Sequence, residues 1–199
     1  MTRLQIGLLT LSCWATYVSA EEVTTTHHDL LLRADLSVAN GKKLQEGVVI
    51  LQHGTLAHNR MEIIDAVAKG LSAAGYNTLA VNTSFGINKR PSSMVDCTIN
   101  HTHRHVDAVE ELATWVKWLN EQGVKKLALL GHSRGGNQAA WLVSEQAPNA
   151  LEKLILVAPA TWNEADAAND YQSRYAQDLA VVVKQAQSLS AEGKADQLM

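Results

Sequence analysis

Ser133 is the residue of this sequence whose surroundings best suit a nucleophile. It lies in Gly131-His132-Ser133-Arg134-Gly135, between an apolar run at 126–130 and a helical segment predicted over about 136–146. A serine at a sharp turn from strand to helix projects its hydroxyl above the sheet, and the glycines beside it remove Cβ atoms that would collide there. The N-terminal amides of the following helix would point toward a developing oxyanion. The simpler alternative is a serine that only caps the helix.

A second polar turn, His53-Gly54-Thr55, follows the β-branched apolar run at 47–52. It lies two strand–helix units before Ser133, where folds with this kind of serine turn place the loop that supplies a second oxyanion donor. We therefore expect the backbone N–H groups of Thr55 and Arg134 to form the oxyanion pair. His53 itself is expected to support this loop rather than to act as a catalyst.

His101, His103 and His105 alternate just before a helix predicted over 106–120. On an extended segment this spacing places three imidazoles on one side, where they could bind zinc or copper. Additional candidate ligands along the chain are Asp96, Cys97 and Asp107. The simpler interpretation, which we favour, is a polar loop whose histidines hydrogen-bond to neighbouring loops or cap the helix. A third is that one imidazole lines the pocket beside Ser133 or replaces a missing general base.

Apolar runs and helical periods alternate along the chain. Strands are predicted at 47–52, 76–81, 126–130 and 154–157, and helices around 64–71, 106–120 and 136–146 lie between them. Because the strands are apolar throughout, both faces of the sheet should be covered. The order predicts an open, mostly parallel α/β sheet with helices on both faces, in three layers. Residues 29–38 are expected to add an antiparallel strand or hairpin, and residues 171–189 a last helix.

The N-terminus and the composition restrict where the protein acts and on what. Residues 1–20 have a basic start, an apolar core and small residues before Glu21, which predicts a signal peptide and export to the periplasm or the medium. The 17 basic and 20 acidic residues give a net charge of −3, which argues against nucleic-acid partners. No membrane association is expected after cleavage. Of the two cysteines, only Cys97 would remain in the mature chain.

Three stretches together resemble the α/β-hydrolase family. They are Val-Ile-Leu-Gln-His-Gly-Thr-Leu-Ala-His-Asn at 49–59, Gly-His-Ser-Arg-Gly-Gly-Asn-Gln at 131–138 and Ala-Pro-Ala-Thr-Trp at 158–162. The wider pattern is similar to a little-characterised exported bacterial branch of that family. The resemblance implies an esterase-like enzyme without a cofactor. Ser133 would attack the carbonyl of a small acyl substrate, two backbone amides would hold the oxyanion, and water would release the acyl group.

The sequence departs from that family's order of serine, then acid, then histidine. All eight histidines precede Ser133, at positions 27, 28, 53, 58, 101, 103, 105 and 132. The acids that follow it fall in or beside predicted helices; they include Asp166, Asp170, Asp178 and Asp196. The usual acid and base are therefore missing, and we expect little turnover from this chain.

Two interpretations of this departure are open. We favour a hydrolase domain over 21–199 that is truncated at its C-terminus, with the last strands missing and residues 171–199 beginning a cap or lid. The other is a complete protein with a degenerate site. The alternative function, from a different class, is a non-catalytic exported protein that binds a ligand or a metal at the loop of His101, His103 and His105.

Overall fold

The computed structural model describes residues 20–96, 98–99, 103–195 and 197. The predicted signal peptide up to residue 19, Cys97, His101 and Asp196 lie outside these residues, so the expectations that rest on them stay predictions. None of the helices within the described ranges is both long and apolar enough to cross a membrane.

One sheet carries all the strands that the described residues form: β1 (Glu21–His27), β2 (Leu30–Ser37), β3 (Val48–Gln52), β4 (Asn77–Asn82), β5 (Leu127–His132) and β6 (Leu151–Val157). Their order across the sheet is β1-β2-β4-β3-β5-β6. Strands β4, β3, β5 and β6 are parallel, whereas β2 and β1 are antiparallel additions on one side. The expected open, mostly parallel sheet is confirmed. Its carboxyl edge brings together the loops that follow β3, β4 and β5.

Helices cover both faces of this sheet. Helix α1 (Glu62–Ala73) lies on one face, where the buried side chain of Ile64 packs with Val49 and Leu51. Helices α2 (His105–Glu121) and α3 (Arg134–Gln146) lie on the opposite face. Because strand side chains alternate between the two faces, a second set of strand residues packs against these helices. The core of that second face includes Ile50, Leu112, Trp115, Leu129 and Leu142. A short 3-10 turn, Leu44–Glu46, leads into β3.

The C-terminal part of the chain is packed differently from the rest. Strands β3 and β4 are buried along their whole length, whereas most residues of β6 are exposed or half-buried. Ile155 and Leu156 of β6 are exposed apolar side chains. Helices α4 (Glu164–Tyr175) and α5 (Leu179–Ala191) follow, and neither contains a buried residue.

One sequence-based expectation for the elements needs correction, and another is confirmed. The single helix predicted over 171–189 is wrong: the chain leaves α4 at Ala176 in a left-handed conformation, with φ 53°, and Asp178 starts α5 by accepting a hydrogen bond from the Ala180 N–H at 2.8 Å. The antiparallel strand expected over 29–38 is confirmed: it is β2, which pairs with β4. Strand β1, which completes a hairpin with β2, lies outside that segment, and its threonine-rich sequence offers no apolar run that would predict it.

Candidate active site

The Ser133 backbone has the strained turn that the sequence predicts between β5 and α3. Its φ of 53° and ψ of −124° lie outside the regions that L-residues normally occupy, at a cost of about 1–3 kcal/mol. Hydrogen bonds hold it: the Ser133 N–H donates to the Val157 carbonyl at 3.0 Å, and the Ser133 carbonyl accepts from Gly136 at 2.9 Å and Ala160 at 3.0 Å. Ser133 makes no side-chain capping hydrogen bond to α3, so the helix-cap alternative does not describe its hydroxyl.

Close backbone approaches explain the glycines beside Ser133. A Cβ at Gly131 would lie within 3.0 Å of the Gly135 carbonyl oxygen. A Cβ at Gly135 would lie 2.7 Å from the Gln52 carbonyl oxygen and closer still to that of His53. Real Cβ atoms do not approach backbone oxygens so closely, so neither position accepts a side chain without a shift of the backbone. These glycines let the turn pack directly against the end of β3.

The loop after β3 passes beside the serine. A Cβ at Gly54 would lie 3.1 Å from the Cβ of Ser133, which places the next residue, the exposed Thr55, close to the hydroxyl. Arg134 is the first residue of α3, and the first N–H groups of a helix have no acceptor within it. The two predicted oxyanion donors therefore lie on the loop and on the helix end that flank Ser133.

His53 is buried and has a defined hydrogen-bonding state. The Thr83 N–H donates to its Nε2 at 3.1 Å, so the proton is on Nδ1, which donates to the Gly54 carbonyl at 2.9 Å. Burial, with a smaller contribution from the positive charge of Arg90, lowers the pKa of His53 to about 3. A neutral ring with both nitrogens occupied ties the loop after β3 to the loop after β4. It is not available as a base for Ser133.

Arg90 is a buried residue beside the candidate site that the sequence analysis did not single out. Its guanidinium is buried and donates to four oxygens at 2.5 to 2.8 Å; the acceptors are Asn82 Oδ1 and the carbonyls of Ala57, Thr83 and Ser93. It also lies over the Phe85 ring, 4.8 Å from the centroid. Burial lowers the pKa of Arg90 to about 10, although the Glu111 carboxylate opposes this. Arg90 thereby joins the loops after β3 and β4 at the edge where Ser133 lies.

Glu111 is a second residue that sequence reasoning missed. It is buried on α2, where its Oε1 accepts from Ser84 Oγ at 2.5 Å and its Oε2 accepts from the Ser84 N–H at 2.8 Å. His103 Nε2 lies 3.2 Å from the same Oε1, and its ring packs on Phe85 with centroids 5.3 Å apart. A signal was available, because Glu111 falls on the otherwise apolar face of α2.

The histidine cluster does not act as a unit among the described residues. His103 lies within hydrogen-bond distance of Glu111, whereas His105 packs edge-on against Trp141, with centroids 5.6 Å apart. Burial, followed by the charge of Arg134, lowers the pKa of His105. His101 is outside the described residues. The imidazoles at 103 and 105 thus have different partners.

Three of the aspartates after Ser133, at positions 166, 170 and 178, lie in or beside the C-terminal helices. Asp166 lies in the first turn of α4, Asp170 accepts from Arg174 at 2.8 Å, and Asp178 caps α5. Within residues 20–96 and 103–195, no hydrogen bond joins Ser133 Oγ to an imidazole. The described site therefore consists of a strained serine and flanking backbone donors.

A family model decides the relationship of this chain to known proteins. The model described as Hydrolase_4, serine aminopeptidase S33, matches residues 44–198. The chain belongs to this family. The resemblance to α/β-hydrolases is thus confirmed for this chain, whereas its membership of an exported branch and its truncation stay predictions.

This chain is also similar to individual esterases, and the solved ones among them share its fold. It is 29% identical over 62 residues to a putative esterase/lipase of Mycoplasma pneumoniae, covering 31% of this chain and 23% of that protein. The Pyrococcus furiosus esterase Pf2001 superposes with a TM-score of 0.61 at 19% identity, covering 92% of this chain and 63% of that one. Est1E from Butyrivibrio proteoclasticus, bound to ferulic acid, gives 0.59 at 19% identity, covering 76% and 56%. This chain thus spans less than two thirds of the length of each of these relatives.

Proposed function

We propose that this protein is a serine hydrolase that cleaves an ester or a related small acyl compound, with Ser133 as the nucleophile. The observation that carries the proposal is the strained Ser133 backbone, held between β5 and α3 with its hydroxyl free of a capping role. Such strain persists only where the surrounding structure maintains it, and it is concentrated at functional sites. The family membership and the esterase relatives support the same class of reaction.

In this proposal Ser133 Oγ attacks the substrate carbonyl carbon, and the carbonyl oxygen becomes an oxyanion. The backbone N–H groups of Thr55 and Arg134 donate to that oxygen, and the positive end of α3 adds to the stabilisation. His53 cannot accept the Ser133 proton because both of its nitrogens are occupied, so in this proposal the proton passes to solvent water. Collapse of the intermediate expels the leaving oxygen, which takes a proton from water to become the alcohol, and leaves an acyl-serine, which water hydrolyses.

Slow turnover is expected because no imidazole among the described residues is hydrogen-bonded to Ser133 Oγ. Loss of one member of a serine triad lowers kcat by about 10⁴- to 10⁶-fold, while the oxyanion donors alone retain about 10³- to 10⁴-fold over water. We therefore expect hydrolysis of an activated ester by this 199-residue chain to be weak but dependent on Ser133.

A fluorophosphonate probe tests the nucleophile directly, because it reports covalent attack by serine without requiring turnover. We expect slow labelling of the chain and no labelling of Ser133→Ala. The matched control is Ser144→Ala, since Ser144 is an exposed serine of α3 whose hydroxyl donates to the Trp141 carbonyl. Equal labelling of the Ser133→Ala variant, or none of the natural chain at high probe concentration, would contradict the proposal.

We also propose that the protein is exported, on the basis of the basic start, apolar core and small residues before Glu21. Fractionation of expressing bacterial cells with N-terminal sequencing tests this. Export predicts a mature chain that begins at Glu21 outside the cytoplasm. A full-length chain retained in the cytoplasm would contradict it.

A further inference from the structure

We propose that His27, His28 and Glu110 form a binding site for one divalent transition-metal ion of the zinc class. The two histidines lie at the end of β1 and in the turn to β2, and Glu110 lies on the neighbouring helix α2. Strand β1 is four positions from β5 in the sheet, about 19 Å at 4.7–4.9 Å per strand, so this site is separate from Ser133.

The ligand atoms already face one another. His27 Nε2 and His28 Nε2 each lie 3.8 Å from Glu110 Oε2, and all three ligand atoms are within 4.8 Å of each other. At 3.8 Å these nitrogens are too far from the carboxylate for a hydrogen bond. Ligands about 2.0–2.2 Å from a tetrahedral zinc ion are about 3.3–3.5 Å apart. The two distances to Glu110 would therefore have to shorten by a few tenths of an ångström, and the distance between the two imidazoles by at most about 1.4 Å.

The hydrogen bond on the far side of His27 fixes which nitrogen is free. Thr114 Oγ1 donates its proton to the Glu110 carbonyl at 3.0 Å, so toward His27 it can only accept. The His27 Nδ1 lies 2.8 Å from this oxygen and therefore carries the ring proton. Its Nε2, 3.8 Å from Glu110 Oε2, consequently carries the lone pair that can bind an ion. Histidines that bind metals are oriented in this way, by a partner on the nitrogen that does not bind.

Exposure differs among the three ligands in a way that suits metal entry. The His27 side chain is only 14% exposed and is held by Thr114, whereas the side chains of His28 and Glu110 are 75% and 45% exposed. One ligand is thus fixed, and two can close onto an ion from solvent. Two imidazoles and one carboxylate match zinc sites with a fourth position left for water, and imidazole disfavours calcium and magnesium.

A bound ion would connect the β1–β2 turn to α2. Glu110 precedes Glu111, whose carboxylate holds Ser84 and His103. The metal is therefore expected to stabilise the hairpin against α2, and not to take part in the chemistry at Ser133.

Calorimetric titration of the metal-free chain with zinc chloride tests the site. We expect one zinc ion per chain, with affinity lowered at least about tenfold in His28→Ala and in Glu110→Gln. Both replace side chains that are exposed or partly exposed, so we expect folding to be preserved. Thr114→Val should weaken binding about 10- to 100-fold, because it removes the acceptor that orients His27, and Thr114→Ser should restore it.

Two controls separate this site from other histidines. His58→Ala removes a histidine outside the cluster, and His101→Ala tests the segment that the alternating histidines suggested; both should bind zinc like the natural chain. Calcium chloride should give no saturable binding. The proposal is overturned if the natural chain binds no stoichiometric zinc, or if binding survives unchanged in both His28→Ala and Glu110→Gln.

Discussion

The Ser133 region and the C-terminal helices differ sharply in packing although both have helical apolar patterns. Helix α3 buries one side against the sheet and α2, and Leu142 there is 0% exposed. Helix α5 has a comparable stripe at positions 179, 182 and 186, yet none of its residues is buried and Val183 is 44% exposed. Periodicity thus shows which side of a helix is apolar, whereas burial depends on what that side meets.

The two regions also differ in how polar groups are used. Around Ser133, buried polar side chains join separate loops through long-range contacts: His53, Arg90 and Glu111. In α4 and α5 the polar contacts are local caps and ion pairs between residues two to four positions apart. Long-range buried contacts give the first region large expected effects of mutation, and solvent-exposed local contacts give the second region small ones.

The largest effect is expected for Gly135→Val. The new side chain would overlap the carbonyl oxygens of Gln52 and His53, so the turn and the end of β3 must move apart. We expect a loss of about 3 kcal/mol or more in the free energy of unfolding, together with loss of fluorophosphonate labelling. Urea denaturation measures the first. Gly70→Ala is the control, because a Cβ at that helical position has no neighbour within 4 Å; equal stability of the two variants would contradict the close approach.

The next effect is a dependence of stability on pH that comes from His53. Its pKa is about 3 in the folded state, well below the usual 6.5, so between these values the unfolded chain binds a proton that the folded chain does not. Stability contributed by neutral His53 is complete above pH 6.5 and falls as the pH decreases toward 3. Between pH 6.5 and 4.5 the loss is about 2 kcal/mol, because the slope rises toward its full value of about 1.4 kcal/mol per pH unit only once the pH is below 6.5.

Urea denaturation at several pH values measures this dependence. His53→Gln should flatten the profile in that window, whereas His58→Gln, which replaces a partly exposed histidine, should change it much less. An unchanged slope in His53→Gln would assign the dependence to other groups.

A smaller effect is expected for Glu111→Gln. The Glu111 carboxylate makes three contacts, two with Ser84 and one with His103, and a neutral amide with one oxygen cannot replace all of them. We therefore expect a loss of about 2 kcal/mol in the free energy of unfolding. Glu110→Gln is the matched control on the same helix, since Glu110 is partly exposed, and in metal-free buffer it should be nearly neutral. If both variants lose the same stability, the buried network contributes nothing special.

The smallest effect is expected for Val183→Ala in α5. An exposed apolar side chain contributes little, so the free energy of unfolding should change by less than about 0.5 kcal/mol. Its counterpart Leu142→Ala in α3 removes a fully buried side chain and should cost about 2–5 kcal/mol. Thermal or urea denaturation of the pair compares the two regions directly, and a large loss for Val183→Ala would show that α5 is packed in solution.

Much of the site could be predicted from local sequence. The apolar run before Ser133, the flanking glycines and the following helix are contiguous, and together they specify a strand, a sharp turn and a helix. The break between α4 and α5 was also readable, because Asp178 before Leu179 is a good helix start, but the continuous apolar stripe concealed it. Strand β1 could not be predicted because its threonine-rich segment contains no apolar run. Its strand conformation is stabilised by hydrogen-bonded pairing with β2, which is a tertiary contact.

By itself, the sequence determined the order of the four parallel strands and the helices between them, the position of Ser133 at a strand–helix turn and the placement of all eight histidines before it. These properties depend on neighbouring residues and on composition. Only the tertiary structure decided the partners of the histidines. His103 contacts Glu111 and His105 contacts Trp141. His27 and His28 lie beside Glu110, which is on a helix some eighty residues away in sequence. Such partners depend on which loops and faces the sheet order brings together, and spacing along the chain does not encode this.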